Sequence, residues 1–216
     1  MSSADLTTTV GVSGGSLRLV NWIDESWQEL QNMAWWSWLR ESFTMPLVAG
    51  QDVYSYGDAI DSDGAVTRLK RWHLDSTANP PWIYNTAAGS STAQAINFVD
   101  WPEFNNLFNM VPPASGAPEF ITSRPNYEIA VSPIPNDNYV VTGEYMRSSQ
   151  VLALDTDVPE MPEEYHMLIV WMAMVEFGYH GVAEEILARG KEKKELYLAS
   201  LVRNQATPLH FFEPQA

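Results

Sequence analysis

Apolar residues recur at helical spacing only at the two ends of this chain, and the hundred or so residues between them are broken by turn signals every few positions. That division constrains the fold more than any other feature, because two helical ends separated by a β-rich middle must find each other. At the N-terminal end, Val20, Ile23, Trp27, Leu30, Ala34 and Trp38 follow steps of three and four. The spacing predicts a helix over about 16–42, with Ser16 as its N-cap and Pro46 forcing an end soon after Phe43. Such a helix would be ~40 Å long at ~1.5 Å per residue. The stretch holds five tryptophans, Trp22, Trp27, Trp35, Trp36 and Trp38, of which Trp22, Trp35 and Trp36 fall off the main stripe. A helix apolar on more than one face needs neighbours on two sides.

From 44 to 151 the turn signals AGQD, DSDG, ANPP, AAGSS, VPPASGAP, SRPN and PIPNDN separate short runs of β character. The runs are DVYSY, AVTRLKRWHL, PWIYN, YEIAVSPI and YVVTGEYMRS, which read as five or six antiparallel strands, with PEFNNLF as a turn or two of helix. Helical periodicity returns over 161–204. Pro162 followed by Glu163 and Glu164 suits a helix start, and Gly178 and Gly181 predict a break near 180. A last helix to about 203 would bury Ile186, Leu187, Leu196, Leu198 and Leu201, with Trp171 in the helix before it, and Gly190 would bend it. The expected fold is α+β: a helical bundle of 16–43 and 152–203 with an inserted antiparallel β-rich lobe at 44–151. A leader at 1–15 and an extended arm at 204–216 complete it.

The composition excludes several classes of function. The 216 residues carry a net charge of −15 and no cysteine, so disulfides and thiolate chemistry are absent. Nucleic-acid binding through phosphates needs clustered cations; Arg189, Lys191, Lys193 and Lys194 are interrupted by Glu192 and read as a solvated helix face. The opening MSSADLTTTVGVSGG lacks the basic and apolar regions of a secretory leader. The apolar run MLIVWMAMVEF is short of the ~20 residues that cross a bilayer, so a cytoplasmic protein without membrane contact is expected.

No residue constellation points to catalysis. GVSGG at 11–15 matches a nucleophile elbow, but too few residues precede Ser13 to build the sheet beneath it. DSDG at 61–64 resembles a calcium loop, yet Ala59 and Lys70 occupy the first and twelfth ligand positions, so it is read as a turn. His73, His166, His180 and His210 show no metal-ligand spacing. The acidic pairs Asp24/Glu25, Glu163/Glu164 and Glu184/Glu185 suit helix surfaces better than a glycosidase cleft. The expectation is a non-enzymatic protein without metal or cofactor.

The ordered set of segments carries a resemblance. LVNWID enters a Trp-rich stretch ending WSWLRESFTM, then come VAGQDVY, FVDWPEF and RPNYEIAVSPIPNDNYVVTGEYMRSSQVLALDTDVPEMPEEYHMLIVWMAM. This resembles the head-to-tail adaptor (connector, or neck) proteins of tailed bacteriophages, the type with a β lobe inserted in a helical bundle. The resemblance covers roughly 16–205 and is most specific over 17–54 and 124–173.

What it implies is a structural virion protein: one subunit of a ring, dodecameric, under the portal, joining the capsid vertex to tail components. The implied partners are the portal protein, copies of the chain itself and a downstream tail, nozzle or neck protein. Genomic DNA would pass through an acidic channel without specific binding. The implied location is the head–tail neck of the virion, after assembly in the host cytoplasm. The C-terminal segment would dock on the portal, through Asn204, Pro208, Leu209, His210, Phe211 and Phe212. Trp22, Trp27, Trp35, Trp36, Trp38 and Trp171 would serve the bundle core or a seam between subunits. The alternative is a carbohydrate- or receptor-binding virion module using Trp72, Trp82, Tyr84 and Trp101 of the β lobe. Those aromatics would stack on sugars if they lined a concave outer face, and would be packing if they lay in the core.

Overall fold

The computed structural model describes residues 14–108, 114–181 and 183–205. The elements run α1 (Gly14–Met33), β1 (Arg40–Leu47), β2 (Val53–Tyr54), β3 (Ile60–Asp61), β4 (Gly64–Ala65), β5 (Arg71–His73) and β6 (Trp82–Asn85). They continue with β7 (Gln94–Ala95), β8 (Asn97–Phe98), α2 (Trp101–Phe108), β9 (Ser115–Gly116), β10 (Phe120–Ser123), β11 (Ile129–Ser132) and β12 (Ile134–Pro135). Last come β13 (Tyr139–Met146), α3 (Met167–Gly181) and α4 (Glu184–Gln205). The fold is α+β and divides into two compact units, one of residues 40–148 and one in which 14–39 joins 149–205.

The β unit is organised by one long hairpin-like pairing between strands far apart in sequence. β1 and β13 are antiparallel over their full length, from Arg40 opposite Met146 to Leu47 opposite Tyr139. Their sheet has the order β4-β3-β1-β13-β6-β7, with β5 also paired to β13. Period-two alternation buries Phe43, Met45 and Leu47 on β1 and Val141 and Tyr145 on β13. Gly143 stands opposite Phe43, and a Cβ there would meet the Phe43 ring at 3.0 Å. Its missing side chain lets that ring lie across the strand against Trp72 and Tyr145. A second sheet, β2-β11-β10-β8, adds Tyr54, Ile121, Ile129 and Val131 to the same core.

The helical unit closes around Trp27, Leu30, Trp36, Tyr165, Leu168, Met172 and Leu201, all buried. α3 and α4 approach closely because Gly178 faces the Leu187 backbone and Gly190 faces Val175 and the Trp171 carbonyl. α1 meets the far end of α3 through Trp22, whose ring lies edge-on to Phe177 at 6.2 Å.

Several expectations are corrected. The first helix ends at Met33 rather than near 42, and it starts at Gly14, which places Ser16 inside it. Trp36 and Trp38 therefore leave the helix: a 3-10 turn spans Ser37–Leu39, and RESFTMPL is strand β1 with Pro46 within it. The physical reason is that Phe43, Met45 and Leu47 satisfy period two, and the whole segment gains a full-length partner in β13. Thirteen short strands replace the five or six expected among the described residues. On α4, Leu201 is buried but Leu196 is 61 % exposed. The PEFNNLF helix and the break near 180 occur as expected, as α2 and the gap between α3 and α4.

Candidate functional site

Asp61, Tyr145, His166 and His180 have structural partners. DSDG is the β3–β4 turn, closed by the Asp63 N–H donating to Asp61 Oδ1 at 2.8 Å. Tyr145 Oη donates to Asp61 Oδ2 at 2.5 Å. Burial, then that bond to a carboxylate, push the Tyr145 hydroxyl well above the ordinary tyrosine range. Burial raises the Asp61 carboxyl, but bonds from Tyr145 and the backbone of Asp63 and Gly64 outweigh it and leave its pKa lowered. His73 is pushed down by burial and by Arg40, against the opposing pull of Asp75. His166 Nε2 lies 3.0 Å from the Met161 carbonyl, and His180 meets Arg18 and the Trp22 ring. No group of three or more potential metal ligands occurs among the described residues. Ser13, His210 and the expected arm residues Pro208, Leu209, Phe211 and Phe212 lie outside them. Asn204, expected with the arm, is in α4 and donates to Tyr165 Oη.

The six candidate tryptophans divide between core and surface. Trp27 and Trp36 are fully buried, and Trp36 stacks on Trp38 at 4.7 Å. Trp22 packs on Phe177 and His180, while Trp35 is exposed. Trp171 lies under the Arg189 guanidinium at 5.6 Å. The β-unit aromatics do not gather into one stacking platform. Trp72 is buried and donates to the Tyr127 carbonyl, and Trp101 is covered by Arg124 at 4.9 Å. Of the four, Trp82 is 44 % exposed, and Tyr84 lines a recess of about 250 Å³ with Tyr139.

Sequence reasoning missed the most exposed apolar group, which lies on the segment entering α3. Val151, Leu154 and Val158 are 63 %, 61 % and 63 % exposed within eight residues. The segment is nonetheless held in shape. The Gln150 side chain donates to the Val158 carbonyl at 2.9 Å and accepts from the Glu160 N–H at 3.1 Å, clasping the loop's two ends. Asp157 accepts from the N–H groups of Ala153 and Leu154. Gln31 of α1 ties the base down: its Oε1 accepts from the Gln150 N–H at 2.6 Å and its Nε2 donates to the Gln150 carbonyl at 3.0 Å.

A second surface runs along α4. Steps of four and three bring Arg189, Lys193, Leu196 and Arg203 to one side of the helix, away from buried Gly190 and Leu201. Arg189, Leu196 and Arg203 are exposed. No carboxylate among the described residues forms an ion pair with Arg189, Lys193 or Arg203. Apolar side chains exposed on an ordered loop are a feature of protein-binding surfaces.

The model of the family described as SU10 adaptor protein matches residues 2–208, nearly the whole chain. No curated protein matches it.

Proposed function

The chain belongs to the SU10 adaptor protein family, and from that premise we propose that it is one subunit of a ring, dodecameric, joining the portal at the capsid vertex to downstream tail, nozzle or neck components. The observation that carries this reading is the preorganised loop exposing Val151, Leu154 and Val158 on a chain whose family works as an adaptor. Exposing three aliphatic side chains forgoes ~1.5–3 kcal/mol of burial for each, which a protein contact recovers. The net charge of −15 supports a channel wall that repels DNA phosphates and lets the genome slide through. The segment after Gln205, with Leu209, Phe211 and Phe212, is the proposed portal-docking arm. No catalytic step belongs to this role.

The test is native mass spectrometry of the 24.3 kDa chain, alone and mixed with the portal ring from the same genome. The same measurement on a chain ending at Gln205 leaves Asn204 and Gln205 in α4, where they bond to Tyr165 and Ser37. Addition to the portal in a fixed multiple, weakened by the truncation, is the expected result. A full-length chain that ignores an intact portal ring overturns the reading and directs attention to glycan binding around Trp82 and Tyr84.

A further inference from the structure

We infer that the C-terminal segment 206–216 folds back on its own chain and lays Leu209, Phe211 and Phe212 against Val151, Leu154 and Val158 of the loop entering α3. The contact stands without the ring reading above; only its exchange for the portal rests on that reading.

The end of α4 fixes where the segment starts. Asn204 Nδ2 donates to Tyr165 Oη, and the Ser37 hydroxyl donates to Gln205 Oε1 at 2.5 Å. Both partners belong to the end of the helical unit that carries the loop. Glu160 closes the loop five residues before Tyr165, at most about 18 Å from it. Ser37 follows Trp36, whose indole is bonded to the Leu30 carbonyl, and Gln31 beside Leu30 holds the loop's base at Gln150. Phe212 is seven residues beyond Gln205, a reach of up to about 23 Å.

Composition selects the occupant. ATPLHFFEPQA has no lysine or arginine and sets three large apolar side chains within four residues. The loop offers three exposed aliphatic side chains on a backbone already ordered by Gln31, Gln150 and Asp157, which lowers the entropic cost of a contact. Joining the two removes both apolar groups from water. The N-terminal segment 1–13 is a poorer fit. It enters α1 at Gly14, and the 17 residues from there to Gln31 are about 26 Å of helix. Spanning that distance takes about eight residues and leaves 1–5 for the loop, of which Met1 alone is large and apolar. A second copy carries the same C-terminal side chains, but a short tether holds the chain's own segment at an effective concentration on the order of millimolar. At micromolar protein its own segment wins.

A segment seated on the loop is not free to sit on the portal. Portal docking therefore uncovers Val151, Leu154 and Val158, and offers them to the next component only on a chain already in place.

The chain has no cysteine, so introduced thiol pairs report this contact directly. Full-length T156C/H210C puts one thiol between Leu154 and Val158 and the other between Leu209 and Phe211. Full-length A199C/H210C is the control: Ala199 is exposed on α4 and six residues before Gln205, about 9 Å along the helix, well within the tether's span. Circular dichroism confirms that each folds. Disulfide closure is followed at low micromolar protein in a glutathione buffer, by intact mass and non-reducing electrophoresis. The T156C/H210C pair should show an effective thiol concentration at least about tenfold above the control, and L209S/F211S/F212S in the same background should remove the difference. Excess portal ring should slow closure of the loop pair. Amide hydrogen exchange on the cysteine-free chain is the second readout, and 151–158 should exchange faster in L209S/F211S/F212S than in wild type. Equal closure of the two pairs with unchanged exchange overturns the fold-back, and so does a loop pair that closes only between chains. Closure unchanged by a portal ring that the chain does bind overturns the exchange. A favoured loop pair in a chain that ignores an intact portal ring supports the fold-back and overturns the ring reading alone.

Discussion

Gln31 and Gln150, 119 positions apart, are joined main chain to side chain in both directions, with Gln150 N–H to Gln31 Oε1 at 2.6 Å and Gln31 Nε2 to the Gln150 carbonyl at 3.0 Å. Gln31 is fully buried, so its amide is committed to this contact and to the Trp27 carbonyl. Gln31→Leu keeps the volume but strands both Gln150 groups, and a stability loss of about 1–3 kcal/mol is expected. Urea denaturation measures it, and hydrogen exchange should quicken over 150–160. An unchanged midpoint with unchanged exchange would show that the loop holds its shape without α1.

Gly178→Ala sets helix propensity against packing. Alanine is favoured in a helix interior by about 1 kcal/mol. Its Cβ, however, would sit 2.8 Å from Leu187 Cα and Cβ and 2.9 Å from the Leu187 nitrogen. Backbone cannot yield as a side-chain tip can, so packing wins and a net loss of about 1–3 kcal/mol is expected. Gly181→Ala is the control, since its Cβ would meet nothing closer than 3.9 Å. Thermal melts of the two variants should move apart, with only Gly178→Ala clearly below wild type.

The Tyr145–Asp61 bond makes stability depend on pH at both extremes. The Asp61 carboxyl is lowered by folding, so its contribution is present above the ordinary aspartate value and is lost as pH falls through the folded one. The Tyr145 hydroxyl is raised, so its contribution is complete below the ordinary tyrosine value of about 10 and is lost as pH rises through the folded one. Tyr145→Phe should cost about 1 kcal/mol at neutral pH. The gap between wild type and variant should narrow in both acid and strong alkali. A gap that stays constant from acid to alkali in denaturant titrations would contradict this account.

The helical ends and the turn-dense middle were legible because periodicity and turn chemistry are local. Strand β1 was not. Ala34 and Trp38 also fit a continued helical stripe, and the partner that settles the matter, β13, is about a hundred residues away. Leu196 was misread for a related reason: α4 has apolar residues on more than one side, and only the Gly190 and Leu201 contacts reveal which side is inward. The apolar loop at 150–160 carries no periodic signal, and its clasp depends on a glutamine in α1. Membership of an adaptor family was legible only in the order of whole segments, since no single motif carries it.

Trp36 supplies the last test, because it decides where α1 stops. A helix leaves its final carbonyls without internal partners, and Trp36 Nε1 donates to the Leu30 carbonyl at 2.6 Å from a fully buried ring. The same ring stacks on Trp38 with an interplanar angle of 15°. Trp36→Phe keeps most of the apolar area but strands that buried carbonyl, and a loss of about 1–3 kcal/mol beyond the packing change is expected. Trp38 offers the matched comparison: its buried Nε1 has no acceptor among the described residues. Trp38→Phe therefore removes an unpaired donor and should cost less than Trp36→Phe by at least about 1 kcal/mol. Guanidinium denaturation followed by far-UV circular dichroism ranks the two. If Trp38→Phe proves the more damaging, the indole bond to Leu30 is not what ends the helix, and the stack alone must hold the chain as it turns into β1.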